Sequence, residues 1–333
     1  ECLLEISGQQ ELYPFGKEHL ISREIVYGDS AIININDLTI VINNYRIEAQ
    51  NYPYFSFYEV DDKPQEGIYD FEKKKILFEA TSWLGRSIID KYIFRDFKKK
   101  IACRKIDSDS ILWEFPLSSL GKWKNSWDEE RDFEVYKLIG IYNNIFWAFI
   151  EIGGFIGLDI KTGELKYRIS EYHMGKESKL FFRSDYYLDN ERGKIFGLAH
   201  IFIEIDLNQA PPFVTQYGLQ EEFEKYNIKK ANDTAEDFVV QDNLLYFYLA
   251  EQLRFGVLDI NTKEIIYVSE PIAVVERDDS FTRLRDLKVS ENKVYILDSN
   301  HTLHIFEREK LNFELGTSCK LAPAGEAKSY YRN

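Results

Sequence analysis

Apolar and polar positions along this chain fall into short continuous or alternating runs, separated by clusters of Asn, Asp, Thr, Gly and Lys. They almost never follow the i, i+3, i+4 spacing of an amphipathic helix. The stretch "GLDIKTGELKYRIS" (157–170) joins an apolar run, a polar turn and a second run rich in β-formers, which predicts an antiparallel hairpin. A close copy, "GVLDINTKEIIYVS", stands at 256–269, with Asp259 in the place of Asp159 and Asn261-Thr262-Lys263 in that of Lys161-Thr162-Gly163. Looser copies surround Glu5, Glu59, Asp107, Asp206 and Phe306.

These seven anchors recur about every 50 residues, the length of a four-stranded antiparallel sheet with its turns. If each anchored hairpin is the outer pair of strands, an inner pair should precede it by a constant distance. Six polar turns fill that place: Asn36-Asp37, Asp90-Lys91, Asn143-Asn144, Asn190 to Gly193, Gln241 to Asn243 and Glu291-Asn292. Asn, Asp and Gly dominate them because tight hairpin turns need positive φ or a side chain that bonds the local backbone. Flanking runs such as "KLIGIY" and "IFWAFI" then read as the buried inner strands. "YRIEAQNYP" (45–53) and "FEKKKILFEATSWLGR" (71–86) do not fit the common length and read as loop or strand extensions.

The expected fold class is therefore all-β. A single β-propeller domain spans 1–333, with seven blades of four-stranded antiparallel sheets, and residues 316–333 help to close the ring. Six blades plus a terminal hairpin is the alternative. One helix is expected near 219–231, "LQEEFEKYNIKKA", where Leu219, Phe223 and Tyr226 fall on one face, as a short insertion in a connecting loop.

The Asp-x-x-Thr-Gly turn of Asp159, Thr162 and Gly163, followed by strand residues through Tyr167, resembles the repeats of the quinoprotein-like β-propellers, relatives of the WD-repeat propellers. Members of that group include pyrroloquinoline quinone dehydrogenases and many non-enzymatic binding proteins. In the family's enzyme repeats a Trp follows the Thr-Gly turn and docks between blades; here Tyr167, Tyr267 or Trp113 takes that place. The resemblance implies the fold and says little about catalysis.

Composition agrees with a β-rich globular chain: 44% apolar, with 24 Phe, 22 Tyr and one Met. No stretch approaches the ~20 apolar residues of a membrane span and no signal-peptide pattern opens the chain, so a soluble, cytoplasmic protein without membrane contact is expected. Cys2, Cys103 and Cys319 are too few and too dispersed for a disulfide framework. His301 and His304 are three apart, which in a strand sends them to opposite faces and argues against a metal site.

Charge supplies the first hint of function. Formal net charge is −14, and acidic clusters lie in three of four expected interblade loops (121–134, 171–179, 216–238 and 269–280). The clusters are Asp128-Glu129-Glu130, Glu221-Glu222-Glu224 and Glu276-Asp278-Asp279, with Trp123 and Trp127 beside the first. Carboxylates gathered on one face attract a cationic protein and repel nucleic acid, and exposed aromatics within a charged rim are hot-spot material. Solvated loops on a generally acidic surface are the plain alternative. The basic run "FKKK" (97–100) falls on a middle-strand turn and is too short for a nucleic-acid footprint.

No GxSxG, HExxH, P-loop or GxGxxG occurs, so no catalytic residue, metal ligand or cofactor is assigned. The leading expectation is a non-enzymatic, protein-binding propeller, monomeric by itself, whose partner is a basic protein. An immunity-type inhibitor of a basic toxin or effector domain is one version. The alternative is a quinoprotein-like dehydrogenase or small-ligand sensor using the central channel, where Arg183, Arg254 and Arg285 are the candidate cations.

Overall fold

A computed structural model describes residues 10–24, 30–34, 36–37, 39–59, 65–80, 87–97, 99–108, 110–124, 127–174, 177–181, 184–199, 201–228, 234–272, 283–299 and 302–308. Its contacts divide the chain into two compact units, Glu1–Ser170 and Glu171–Asn333. Among the described residues, strands dominate and the helical elements are one 3-10 turn, Leu117–Leu120, and one short α-helix, Gln220–Glu224. No helix among them is long and apolar enough to cross a membrane.

The first unit contains a seven-stranded meander and two regular structures built on the expected hairpins. One four-stranded sheet runs Ser87–Ile89, Tyr92–Phe97, Lys100–Lys105, Ile111–Pro116; another runs Val135–Tyr142, Ile145–Ile150, Gly154–Asp159, Leu165–Ile169. The second unit holds two further four-stranded sheets, Tyr186–Asp189 through Phe213–Gly218 and Thr234–Gln241 through Ile265–Val268, and a three-stranded sheet ending at Leu303–Glu307. Every neighbouring pair is antiparallel.

Five of the six inner turns expected from sequence join first to second strands, and Asp90, Asn143, Asn144, Asp242 and Gly193 take the positive φ that such turns require. The outer turns centre on Asp159 and Asp259 as expected. Asp159 Oδ1 accepts the N–H groups of Lys161 (2.9 Å) and Thr162 (3.0 Å), and the Gly163 N–H closes onto the Asp159 carbonyl at 2.8 Å. Gly163 has φ +72°, and Lys263 holds the same left-handed place at +66° in the second copy.

The beginning of the chain departs from the expectation. Ile40–Asn51 is one uninterrupted strand that pairs with Ser30–Asn34 through its first half and with Tyr54–Glu59 through its second. Asn36-Asp37 thus turns into this long strand and opens no inner pair for Glu59. The inner turn of that sheet is at Tyr52-Pro53, Glu59 ends its second strand, and Asp70 occupies the anchor position. "FEKKKILFEA" is the outer turn and fourth strand rather than an extension. Phe306 lies within the last described strand, so the anchor place passes to Glu307, where that strand ends. The Glu5 anchor and the closing segment 316–333 lie outside the described residues.

One backbone bond marks the true repeat. The residue after each third strand donates its N–H to the end of the preceding inner turn: Phe71 to Pro53, Ile106 to Lys91, Ile160 to Asn144, Leu207 to Gly193, Ile260 to Asn243 and Arg308 to Asn292, all at 2.8–2.9 Å. In a four-stranded meander the fourth strand opposes the first, so a second sheet in the same orientation requires a chain reversal between them. The continuous Ile40–Asn51 strand contains none.

Burial concentrates in second and third strands, whose near-continuous apolar runs face neighbouring sheets on both sides. Phe146–Ile150, Phe155–Leu158, Ile201–Ile205 and Leu245–Leu249 are buried throughout, Glu204 included. First strands such as Val135–Tyr142 are mostly half-buried instead. Within the first unit, Phe94 and Phe146 from successive sheets stack at 4.0 Å in one cluster with Trp113, Phe115 and Phe133. In the second, Phe196, Phe202 and Phe247 form the equivalent cluster, roofed by Leu219 and Phe223 of the helical segment. Each such side chain contributes about 1.5–3 kcal/mol on burial.

Candidate protein-interaction surface

The first acidic cluster belongs to a two-stranded hairpin, Lys122–Lys124 paired with Glu130–Asp132. Its base is held by chemistry that differs from its tip. Trp123 is half-buried against the core containing Leu120 and Phe133, and its Nε1 donates to the Asp132 carbonyl at 3.3 Å. Arg168, from the fourth strand of the next sheet, donates to the Leu120 carbonyl (2.8 Å) and lies 5.4 Å over the Phe133 ring. Trp127, near the tip, is 80% exposed.

Each carboxylate of this cluster faces a cation of the same hairpin. Lys124 pairs with Asp128 at 2.8 Å, Arg131 with Glu129 at 2.5 Å and Lys122 with Glu130 at 3.1 Å. Exposed pairs of this kind add little stability, but they reduce the local field that sequence reasoning assigned to Asp128-Glu129-Glu130. Two of these pairs are local, Arg131 with Glu129 and Lys124 with Asp128, and only Lys122 reaches across the ladder to Glu130.

The second cluster lies on the helix Gln220–Glu224, shorter than the 219–231 expected because the chain turns at Tyr226–Asn227, where Asn227 takes φ +60°. Glu221 and Glu224 face solvent, and Glu224 accepts from Gln220 Nε2 at 2.8 Å. Glu222 instead turns to the sheet: one carboxylate oxygen accepts the Ile265 N–H at 3.1 Å, the other the Lys225 ammonium at 2.5 Å. Its neighbour Tyr226 donates to the Ile265 carbonyl at 2.9 Å. Nothing in the sequence spacing marks this use of Glu222 and Tyr226. The third cluster, Glu276, Asp278 and Asp279, lies outside the described residues.

Of the cations weighed for a channel site, Arg183 is outside the described residues. Arg254 reaches Glu270 (3.6 Å) and the Tyr226 carbonyl (3.4 Å), and Arg285 is exposed. Of the two histidines weighed for a metal site, His301 is outside the described residues and His304 pairs with the buried carboxylate of Asp298 at 2.9 Å. Lys100, from the basic run, pairs with Glu114 at 2.6 Å.

Sequence reasoning also missed the contacts between successive sheets, except at one residue. Trp113, one of three candidates for the docking aromatic, packs its ring on Gly163 of the next sheet and donates Nε1 to the Ile160 carbonyl at 2.8 Å. Tyr167 instead stacks on Trp147 within its own sheet. Tyr267 lies against Phe255.

Searches of protein-family models and of curated proteins return no match. Solved structures do match. BamB from Moraxella catarrhalis aligns at 9% identity over 90% of this chain and 85% of its own, with a TM-score of 0.53. Apo AztD from Citrobacter koseri aligns at 10% identity over 92% and 85%, TM-score 0.55. The C-terminal WD40 domain of Sif2 aligns at 8% identity over 89% and 80%, TM-score 0.53. The fold is that of the β-propellers.

Proposed function

We infer that this chain is a protein-binding β-propeller that engages its partner through the hairpin 122–132. The observation that carries the reading is Trp127: a large aromatic side chain, 80% exposed, near the tip of a hairpin whose base is anchored by Trp123 and Arg168 and whose acids are held by three ion pairs, one of them across its strands. Rigid aromatic anchors of this kind lose little conformational entropy on binding and dominate interface energetics. Glu221 and Glu224 are the further solvent-facing acids, and Glu276, Asp278 and Asp279 complete the proposed acidic set.

The net charge of −14 supports a basic protein as the partner, because complementary charge accelerates encounter. An immunity-type inhibitor of a cationic toxin or effector domain, cytoplasmic and monomeric by itself, is the specific version. The six recurrences of the third-strand bond support six blades with an N-terminal three-strand extension, close to the alternative weighed against seven.

The test is retention from source-cell extract on immobilised wild-type and Trp127→Ala protein, at low and high salt. A partner held by the wild type, lost with the variant and released by salt is expected. Identical retention on both columns overturns the role of the hairpin; retention indifferent to salt overturns the basic partner.

A further inference from the structure

The outermost strand of an antiparallel sheet presents a row of N–H and C=O groups on which a second chain can build, and natural sheets protect that edge with charge, Pro or a covering element. Among the described residues, the fourth strands of five sheets divide cleanly by sequence. Lys75–Ala80 carries Lys75 and Glu79, Ile111–Pro116 carries Glu114 and Pro116, and Leu165–Ile169 carries Lys166 and Arg168. Phe213–Gly218 ("FVTQYG") and Ile265–Val268 ("IIYV") carry no charge and no Pro. Short, uncharged, β-branched and aromatic segments of the second kind are the ones most prone to intermolecular pairing.

Cover is tightest over one of the two uncharged strands, Ile265–Val268, whereas Phe213 at the start of the other is 56% exposed. The leading apolar residues of the three charged strands, Ile76, Ile111 and Leu165, are 37%, 50% and 36% exposed, whereas Ile265 at the equivalent register is 3% exposed. The segment 219–228 lies over it, with Glu222 accepting its N–H and Tyr226 donating to its carbonyl. The other uncharged strand, Phe213–Gly218, has the hairpin strand Glu171–Met174 lying against it. Covering elements thus attend the two strands that lack charges of their own.

We propose that segment 219–228 is an edge guard, in which Glu222 and Tyr226 withhold the outer edge of Ile265–Val268 from the same strand of a second copy of this chain. The occupant is a second copy because antiparallel self-pairing sets IIYV against IIYV with no charge opposed, and because both outward-facing backbone groups of Ile265 are bonded by side chains that a competing strand would replace. This goes beyond the binding role of the hairpin 122–132 and does not depend on it.

The test is the oligomeric state of Glu222→Leu/Tyr226→Phe, with the fold checked by circular dichroism. A concentration-dependent species of about twice the monomer mass or more is expected, and adding Ile266→Lys, which copies Lys166 at the equivalent register, should restore the monomer. A folded double variant that stays monomeric at the same concentrations overturns the proposal, as does association that Ile266→Lys does not suppress. Should the double variant fail to fold, hydrogen exchange of the wild type decides. The guard requires the Ile265 amide to exchange at least about tenfold more slowly than that of Leu165, and equal rates overturn it.

Discussion

Lys263 Nζ lies 2.6 Å from Glu204 Oε2, and the other oxygen of that carboxylate is 2.6 Å from Lys194 Nζ. The same Lys263 ammonium donates to the Ile260 carbonyl and lies 5.1 and 5.2 Å from the ring centroids of Phe202 and Tyr217. Ile260 is the counterpart of Ile160, whose carbonyl takes the Trp113 indole N–H. One slot between successive sheets is therefore filled in two ways. Where the turn carries Gly163, an indole from the preceding sheet enters it; where it carries Lys263, a charged pair does.

Breaking the charged version leaves cations without their counter-charge in a largely enclosed site. Glu204→Gln should destabilise the chain by about 2–3 kcal/mol, read as a lower urea midpoint with unchanged slope. Glu204→Gln combined with Lys263→Met should cost less than the two single changes added together. Strict additivity would show that the pair is not coupled.

Acid sensitivity follows from the direction of four carboxyl shifts. Burial alone would raise Glu204, but Lys194 and Lys263 outweigh it and hold the group below its ordinary range. Burial likewise opposes, and Lys73 overcomes, the shift at Asp70. The Thr162 N–H lowers Asp159, and the Gln209 amide lowers Asp206. A depressed folded-state value means stability that is present above the unfolded value near 4 and lost as pH falls through the lower folded value. The urea midpoint should drop between about pH 5 and pH 3, and Glu204→Gln should flatten part of that slope. A midpoint unchanged at pH 3 contradicts the assignment.

The indole version of the slot is equally testable. A Cβ at position 163 would stand 2.7 Å from Trp113 Cδ2, on a backbone with φ +72°. Gly163→Ala should cost about 2–3 kcal/mol from strain and displacement of the ring. Trp113→Phe removes the bond to the Ile160 carbonyl and should relieve part of the Gly163→Ala cost when the two are combined. Thermal denaturation of the four proteins measures the coupling.

Cys103 is fully buried among Phe94, Trp113 and Ile101, and burial pushes its thiol up to about 12. In a Cys2→Ser/Cys319→Ser background the native protein should not react with a thiol reagent at pH 8, and should release one equivalent of product on denaturation. Rapid native reaction would mean that this sheet opens locally.

Much of the fold was legible because hairpins are local: an Asp bonding backbone two or three residues away leaves a readable signature at Asp159 and Asp259, and a turn residue at positive φ leaves one at Asn143 and Asp242. The same locality misled at the first sheet. Asn36-Asp37 is a good turn wherever it stands, and no short-range signal reveals that Ile40–Asn51 runs through two ladders. The proposed binding surface was legible as residue types only. Trp127 and its acids were singled out, but how far a tryptophan is exposed depends on the tertiary packing around it, and Trp123 and Trp127, four residues apart, differ in exposure.

By itself, then, the order of residues determined where most of the described hairpins turn and that strands dominate among the described residues, since those features depend on bonds spanning a few residues. Tertiary structure alone decided that Glu222 caps a strand while Glu221 meets water, and that Lys263 stands in for an indole. Those outcomes depend on which groups from distant parts of the chain arrive within about 3 Å of each other, the range over which a hydrogen bond or ion pair acts.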